Sequence, residues 1–289
     1  MTLAFAGAIG VAHAQEATPS PAPEATPSFI DRAYDGNTHI TVAPYVWLPT
    51  VKADYQYAIP RLRGYVTAPV QGSSSIGPSD YLSHLNSAAM FSFDARKGTV
   101  DLFGDYIYLN ASSTGSTSAT LTGPLGNFQL PVSVNTTAHL RSSIWELGGG
   151  VTIARSHDYD LSMFLGYRDF PLNLNFGYTA NVTTPKGVLS QTGSINSGSV
   201  AQDWIWGLRG KAFFGDGHWY VPYYIDIGSS AGQLANTTWE GYTGLGYAFN
   251  HGQTIIATWR SLNYENFAPT SPVQKLNFAG PLLGYTFGL

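Results

Sequence analysis

The sequence predicts an all-β fold, an antiparallel up-and-down transmembrane β-barrel of about ten strands, with twelve as the alternative count. Three observations lead there. Polar and apolar residues alternate through segments rich in Tyr, Trp, Phe, Val and Thr; segments holding several charges keep them in one register; and tight turns alternate with long polar connections.

Composition narrows the class. A 289-residue chain that is 44% hydrophobic and 14% aromatic buries a large core, yet only 11% of it is charged, against roughly 25% in soluble domains. No run approaches the ~18 apolar residues of a membrane helix, and the mean hydropathy of -0.05 reflects apolar positions interleaved with polar ones. A net charge of -4 provides no basic footprint, so nucleic acid is not an expected partner. The absence of cysteine excludes disulfides, a thiol nucleophile and a thiolate metal site.

From the N-terminus, residues 1–14 read as a signal peptide, an apolar run closed by Ala12-His13-Ala14; without a basic leading region it is expected to be incomplete. Residues 15–35 read as a Pro-rich disordered tether in which Glu16 to Ser20 recurs as Glu24 to Ser28. The barrel is then expected over 36–289. Pro44, Pro49 and Pro222 imply strand ends or bulges. "PSDYLSHL" is the best helical candidate, a loop helix capped by Ser79.

The strands follow in order. Asp94 and Arg96 oppose Phe91 and Phe93; Asp101 and Asp105 oppose Leu102, Tyr106 and Tyr108; Glu146 opposes Trp145 and Leu147. In "DLSMFLGYR", Asp160, Ser162 and Arg168 oppose Leu161, Met163, Leu165 and Tyr167. Asp203, Arg209 and Lys211 oppose Trp204, Trp206 and Leu208, and then Asp226, Glu240 and Arg260 each oppose a Trp-bearing apolar face. The tight connectors are Lys97-Gly98, Ser156 to Asp158, "GDGH" at 215–218 and "NHG" at 250–252. The long ones lie around 110–138, 173–202, 228–238 and 262–275 and read as loops, the likeliest places for partner contact. Short turns on one side and long connections on the other fit a barrel whose short turns are periplasmic.

A soluble sandwich would turn its greasy faces inward. Here the charged faces also carry Ser92, Gly148, Gly150, Gly166, Gly207 and Gly246, small residues that suit a crowded barrel interior. The lumen is therefore expected to be lined by Asp94, Arg96, Asp101, Asp105, Glu146, Arg168, Asp203, Arg209, Lys211, Asp226, Glu240 and Arg260. Two readings of these charges stay open: a constriction that selects a small solute, or a mutually paired network that fills the barrel.

"PYVWLP", "PSDYLSHLNSAAM", "DARKGTVDLFGDYIYL", "YIDIGSS" with "TTWEGYTGLGYAF", and "TWRSLNY" with "GPLLGYTF" together resemble an uncharacterised family of Gram-negative outer-membrane β-barrel proteins over most of residues 39–289. The final strand, "NFAGPLLGYTFGL", resembles those recognised by the barrel-assembly machinery, although it ends in Leu289 where most end in Phe. The resemblance implies an outer-membrane location and supplies no catalytic or binding residue. The expected function is passive, a narrow solute pore or a structural surface barrel, monomeric, among outer-membrane lipids and without cofactor, catalytic residue or metal site. The alternatives are a barrel-embedded lipid acylhydrolase and a soluble secreted β-sandwich. For the enzyme, His139 and Ser143 share a face but lie roughly 13 Å apart along a strand.

Overall fold

The computed structural model describes residues 28–57, 70–122, 129–184, 187–230, 235–249, 252–267 and 273–288. The expected signal peptide, most of the tether, and Leu289 lie outside the described residues.

The described residues form twelve strands: β1 (Thr38–Trp47), β2 (Thr50–Tyr57), β3 (Val70–Ile76), β4 (Leu85–Lys97), β5 (Val100–Thr122), β6 (Gln129–Arg155), β7 (Tyr159–Thr184), β8 (Gly187–Phe214), β9 (Trp219–Ser230), β10 (Ala235–Ala248), β11 (Thr254–Phe267) and β12 (Val273–Gly288). Ten of them, β1 and β4 to β12, pair antiparallel in sequence order, and β1 meets β12 from Thr41↔Gly288 to Trp47↔Leu282. That pairing closes the barrel. The two further strands form a hairpin on its rim. β1 leaves β4 at Pro44↔Phe91, and after Leu48 and Pro49 the chain resumes beside β12 as β2, with Thr50 opposite Ala279. Pro49 lacks the N–H a continuous ladder needs, which accounts for the break. A barrel of ten with a hairpin of two reconciles the alternative strand counts.

Alternation decides which wall faces lipid. Leu165, Trp204 and Trp206 on the outer surface are 58–59% exposed, whereas Arg168 and Asp203 on the same strands are 0% exposed. The charges are inside, which overturns the sandwich alternative. Two aromatic levels bound the apolar band. Trp145, Tyr167 and Trp204 pack at 5.5 Å centroid spacings on one side, and Trp219 lies 4.9 Å from Tyr247 on the other. From Tyr159 to Tyr167, strand β7 runs roughly 26 Å between these levels at about 3.3 Å per residue, matching the span of an outer-membrane barrel in order of magnitude.

Three expectations are corrected. The connections around 110–138 and 173–202 are strand through most of their length, since β5 pairs with β6 to Thr122↔Gln129 and β7 with β8 to Thr184↔Gly187. Their Ser, Thr, Asn and Gly content reads as loop, but Thr is a good strand former and the ladder satisfies each backbone. Within "PSDYLSHL", α2 (Pro78–Tyr81) is capped by Gly77, whose N–H donates to the Asp80 carboxylate at 2.8 Å, and Ser79 is not the cap. Pro78 at the first helical position explains the start, because its missing N–H is one a helix leaves unpaired.

The third difference is at the tether. Residues 29–33 form α1 (Phe29–Ala33), opened by a capping box in which Ser28 Oγ accepts from the Asp31 N–H at 3.0 Å and Asp31 accepts from the Ser28 N–H at 3.2 Å. The helix docks against the barrel's short-turn end. Ile30 is buried, and Phe29 stacks on Phe213 at 5.6 Å and meets His218 edge-on.

Candidate functional site in the barrel lumen

The inward positions stack in levels, and the level nearest the long strands is apolar. Trp47, Ile107, Ile144, Phe170, Leu262 and Tyr264 form one buried cluster. Phe170 on β7 lies 5.0 Å from Tyr264 on β11 and 5.8 Å from Phe278 on β12, ring centre to ring centre. Since those strands stand on opposite sides of the barrel, the cluster spans the lumen.

Beneath it lies a buried ionic level. Arg168 Nη2 is 2.8 Å from Glu146, 2.5 Å from Asp226 and 3.0 Å from Glu240, reaching three strands from a fourth. Arg260 continues the network to Glu240 at 2.7 Å and Asp105 at 2.6 Å, and Tyr45 donates its hydroxyl to Asp105 at 2.7 Å. Glu146, Asp226 and Glu240 bring carboxylate oxygens within 4.8 Å of one another, a set that could hold a metal ion. The Arg168 guanidinium already stands among them as their cation.

Below this, Phe103, Phe164, Ile205 and Tyr224 pack together, with Tyr242 stacked on Tyr224 at 5.0 Å. Glycines make room for such rings: a methyl group at Gly148 would collide with the Phe103 ring, and one at Gly246 with the Tyr220 ring. At the short-turn mouth, Arg209 pairs with Asp94 and with Asp101 at 2.9 Å, and Arg96 lies 3.5 Å from both Asp101 and Asp160. Asp203 is fully buried on β8, and Lys211 is exposed at the mouth with its ammonium 5.5 Å from the Tyr220 ring centre.

Of the expected charges, Asp94, Arg96, Asp101, Asp105, Glu146, Arg168, Arg209, Asp226, Glu240 and Arg260 meet in ion pairs across the lumen. His139 and Ser143 stand four residues apart on β6. Asp160, which pairs with Arg96, is absent from the expected set although it shares the parity of Arg168. Tyr34, just after α1, went unnoticed as well. Its hydroxyl meets Thr152 and Asp160 at 2.8 Å and the Arg96 guanidinium, and burial pushes its pKa up to about 12, so it remains a donor at neutral pH. Outside the barrel, hydrogen bonds from His39 and Asn37 pull Asp35 down to about 2.

A cavity of about 330 Å³ rises from the mouth along one side of the lumen. Phe29, Ile30 and Ala33 of α1 form its floor, and the Arg260, Glu240 and Asp105 level is its blind end.

No protein-family model and no curated protein matches the sequence. Among solved structures, the outer membrane protease OmpT from Escherichia coli is similar at 9% identity and a TM-score of 0.50, covering 89% of this chain and 98% of that one. The translocator domain of the autotransporter NalP from Neisseria meningitidis is 15% identical with a TM-score of 0.35, over 89% of this chain and 91% of its own. A Pseudomonas aeruginosa FadL homologue is 8% identical with a TM-score of 0.27, over 90% of each chain. With the closed ladder, the lipid-facing outer wall and the charged interior, the fold is that of a bacterial outer-membrane β-barrel.

Proposed function

We propose that the protein serves a passive, structural role in the outer membrane, as a plugged monomeric barrel that presents its long strands β5 to β8 outside the cell. One observation carries this reading: the lumen is crossed first by the Phe170, Tyr264 and Phe278 layer and then by the Arg168 network. A packed apolar layer excludes water, and a paired ionic layer has little reason to open. Of the two readings of the lumenal charges, the geometry favours the filling network over the selective constriction.

The partners proposed with it are outer-membrane lipids around the apolar band and, during assembly, the machinery that reads the C-terminal strand β12. The lipid-hydrolysing alternative gains little. Ser83 Oγ lies 2.9 Å from His84 Nδ1, but the two are adjacent and exposed, and the same nitrogen faces the Asp80 carbonyl oxygen at 2.9 Å. Planar-bilayer recording of the purified full chain tests the proposal. The expected record is a membrane without stable conductance steps, and a reproducible step from the wild-type barrel would overturn it.

A further inference from the structure

Small inward side chains open the cavity. Ala43 on β1, Ser92 on β4 and Thr258 on β11 line it and leave space, where Phe103, Tyr224 and Tyr242 fill the neighbouring strands. The charged groups of its wall are already partnered: Arg96 with Asp160, Arg209 with Asp94, Arg260 with Asp105 and Glu240, and Glu146 with Arg168. Lys211 is exposed at the rim, its ammonium against the Tyr220 ring. Apolar surface and a single hydroxyl are left for a guest. Thr258 shares the inward register of Arg260, is 6% exposed, and its Oγ1 has no hydrogen-bond partner among the described residues. A buried hydroxyl without a partner carries a desolvation cost that a bound group of matching polarity would remove.

We propose that the cavity binds a small neutral aromatic alcohol, a phenol, which enters from the short-turn end past α1. Three arguments select this class. A charged guest would be buried beside carboxylates and guanidiniums that already hold one another, and would find no counter-ion of its own. A hydroxyl both donates and accepts, so a phenolic O–H can pair with the Thr258 hydroxyl in either sense. The wall around that hydroxyl is apolar and aromatic, with Ala43, Phe103, Tyr242, Ile256 and Leu282 along it, and rings pack well edge-on or offset against one another. Size agrees. An apolar cavity of about 150 Å³ takes up benzene, and about 330 Å³ holds one ring with its substituents. The site lies on the short-turn side of the Phe170 and Arg168 layers, so a guest reaches it whether or not the barrel conducts.

The test is fluorine NMR of 4-fluorophenol with the purified full-length barrel in detergent micelles, against empty micelles. The expected result is a saturable bound signal that phenol displaces and that benzoate and benzylammonium at equal concentration do not. Thr258→Val replaces the unpaired hydroxyl by a methyl group of the same shape; it should keep the heat-modifiable folded band, weaken 4-fluorophenol about three- to tenfold and leave fluorobenzene binding unchanged. Ala43→Leu, which fills the cavity, should abolish both signals, and if it gives no folded band, Ser92→Leu fills the same space. The absence of a saturable signal, or its survival in a folded cavity-filling variant, would overturn the site. Displacement by benzoate or benzylammonium as effective as by phenol, or a Thr258→Val barrel in which both fluorinated ligands weaken equally, would overturn the ligand class.

Discussion

Replacing Arg168 with methionine tests whether the buried network holds the barrel together. Methionine approximates the length of the side chain and removes its charge, leaving Glu146, Asp226 and Glu240 facing one another without the guanidinium that lies 2.5–3.0 Å from each. Breaking a buried ion pair by removing one partner costs about 3–5 kcal/mol, or between two and four powers of ten in the folded-to-unfolded ratio at about 1.4 kcal/mol per tenfold. The assay is urea unfolding in detergent micelles, followed by tryptophan emission and by the heat-modifiable gel shift. The argument also specifies a rescue. Adding Glu146→Gln and Asp226→Asn removes the surplus charge while Glu240 keeps Arg260, so the triple variant should regain at least about half of the loss, since buried polar groups without a net charge cost far less than bare carboxylates. A single-variant loss under about 1 kcal/mol, the range of an exposed pair, or a triple variant no more stable than the single one, would refute the reasoning.

Other perturbations address the seal and the docked helix. Trp47→Ala removes a fully buried ring whose Nε1–H donates to the Gly280 carbonyl oxygen at 3.3 Å; it should cost about 3–5 kcal/mol and give bilayer conductance steps that the proposed plug does not allow in the wild type. At α1, hydrogen bonds from the Ser28 hydroxyl and N–H, aided by His157, hold the exposed Asp31 carboxyl below its ordinary range. Its contribution to docking is therefore complete above the unfolded value of about 3.9 and is lost as the pH falls through the lowered folded value. Ser28→Ala should shift that acid release to higher pH, read as amide exchange of residues 29–33, and an unshifted profile would mean that the cap does not set it.

How much of this was legible follows from what alternation encodes. It assigns a face, so Arg168 and Ser162 share one side in "DLSMFLGYR" alone, and the small residues on the charged faces of the other strands turn that side inward. It says nothing of height or of the neighbour across the barrel, so that Arg168 gathers Glu146, Asp226 and Glu240 emerged only when the register of five strands, β6 to β10, was fixed. Phe164 and Phe170 share the parity of Arg168 and were a visible sign that the interior is not uniformly polar. They were outweighed by the Trp and Tyr residues of the opposite face. The α1 capping box was present as Ser28-x-x-Asp31, but it begins within a Pro-rich repeat whose composition argues for a tether. The cavity had no sequence signal, because an empty volume is a property of how large and small residues coincide on different strands.

The outer face of β7 locates the membrane boundary and yields a graded prediction. Its outward register runs Tyr159, Leu161, Met163, Leu165 and Tyr167, then changes to Asp169, which accepts the Trp145 indole N–H at 2.9 Å. Further out, the register reaches position 173, occupied by Asn and paired with Arg141, itself paired with Asn110 on β5. Three adjacent strands thus turn polar at one height, as a water interface requires. Beyond it, β5 from 112 to 122 continues past the end of β4, and β8 from 187 to 202 past the described end of β9, or roughly 35–50 Å of strand at about 3.3 Å per residue. Arginine placed along this one register should therefore cost different amounts. Leu165→Arg, at 59% exposure and within the apolar band, should lose about 2–4 kcal/mol in vesicle-refolded protein, whereas Thr179→Arg, further out in the same register of β7, should lose no more than about 1 kcal/mol. The comparison holds strand and face constant and varies only depth, so equal losses at both positions would mean that lipid does not end at Asp169 and that the long strands do not stand in water.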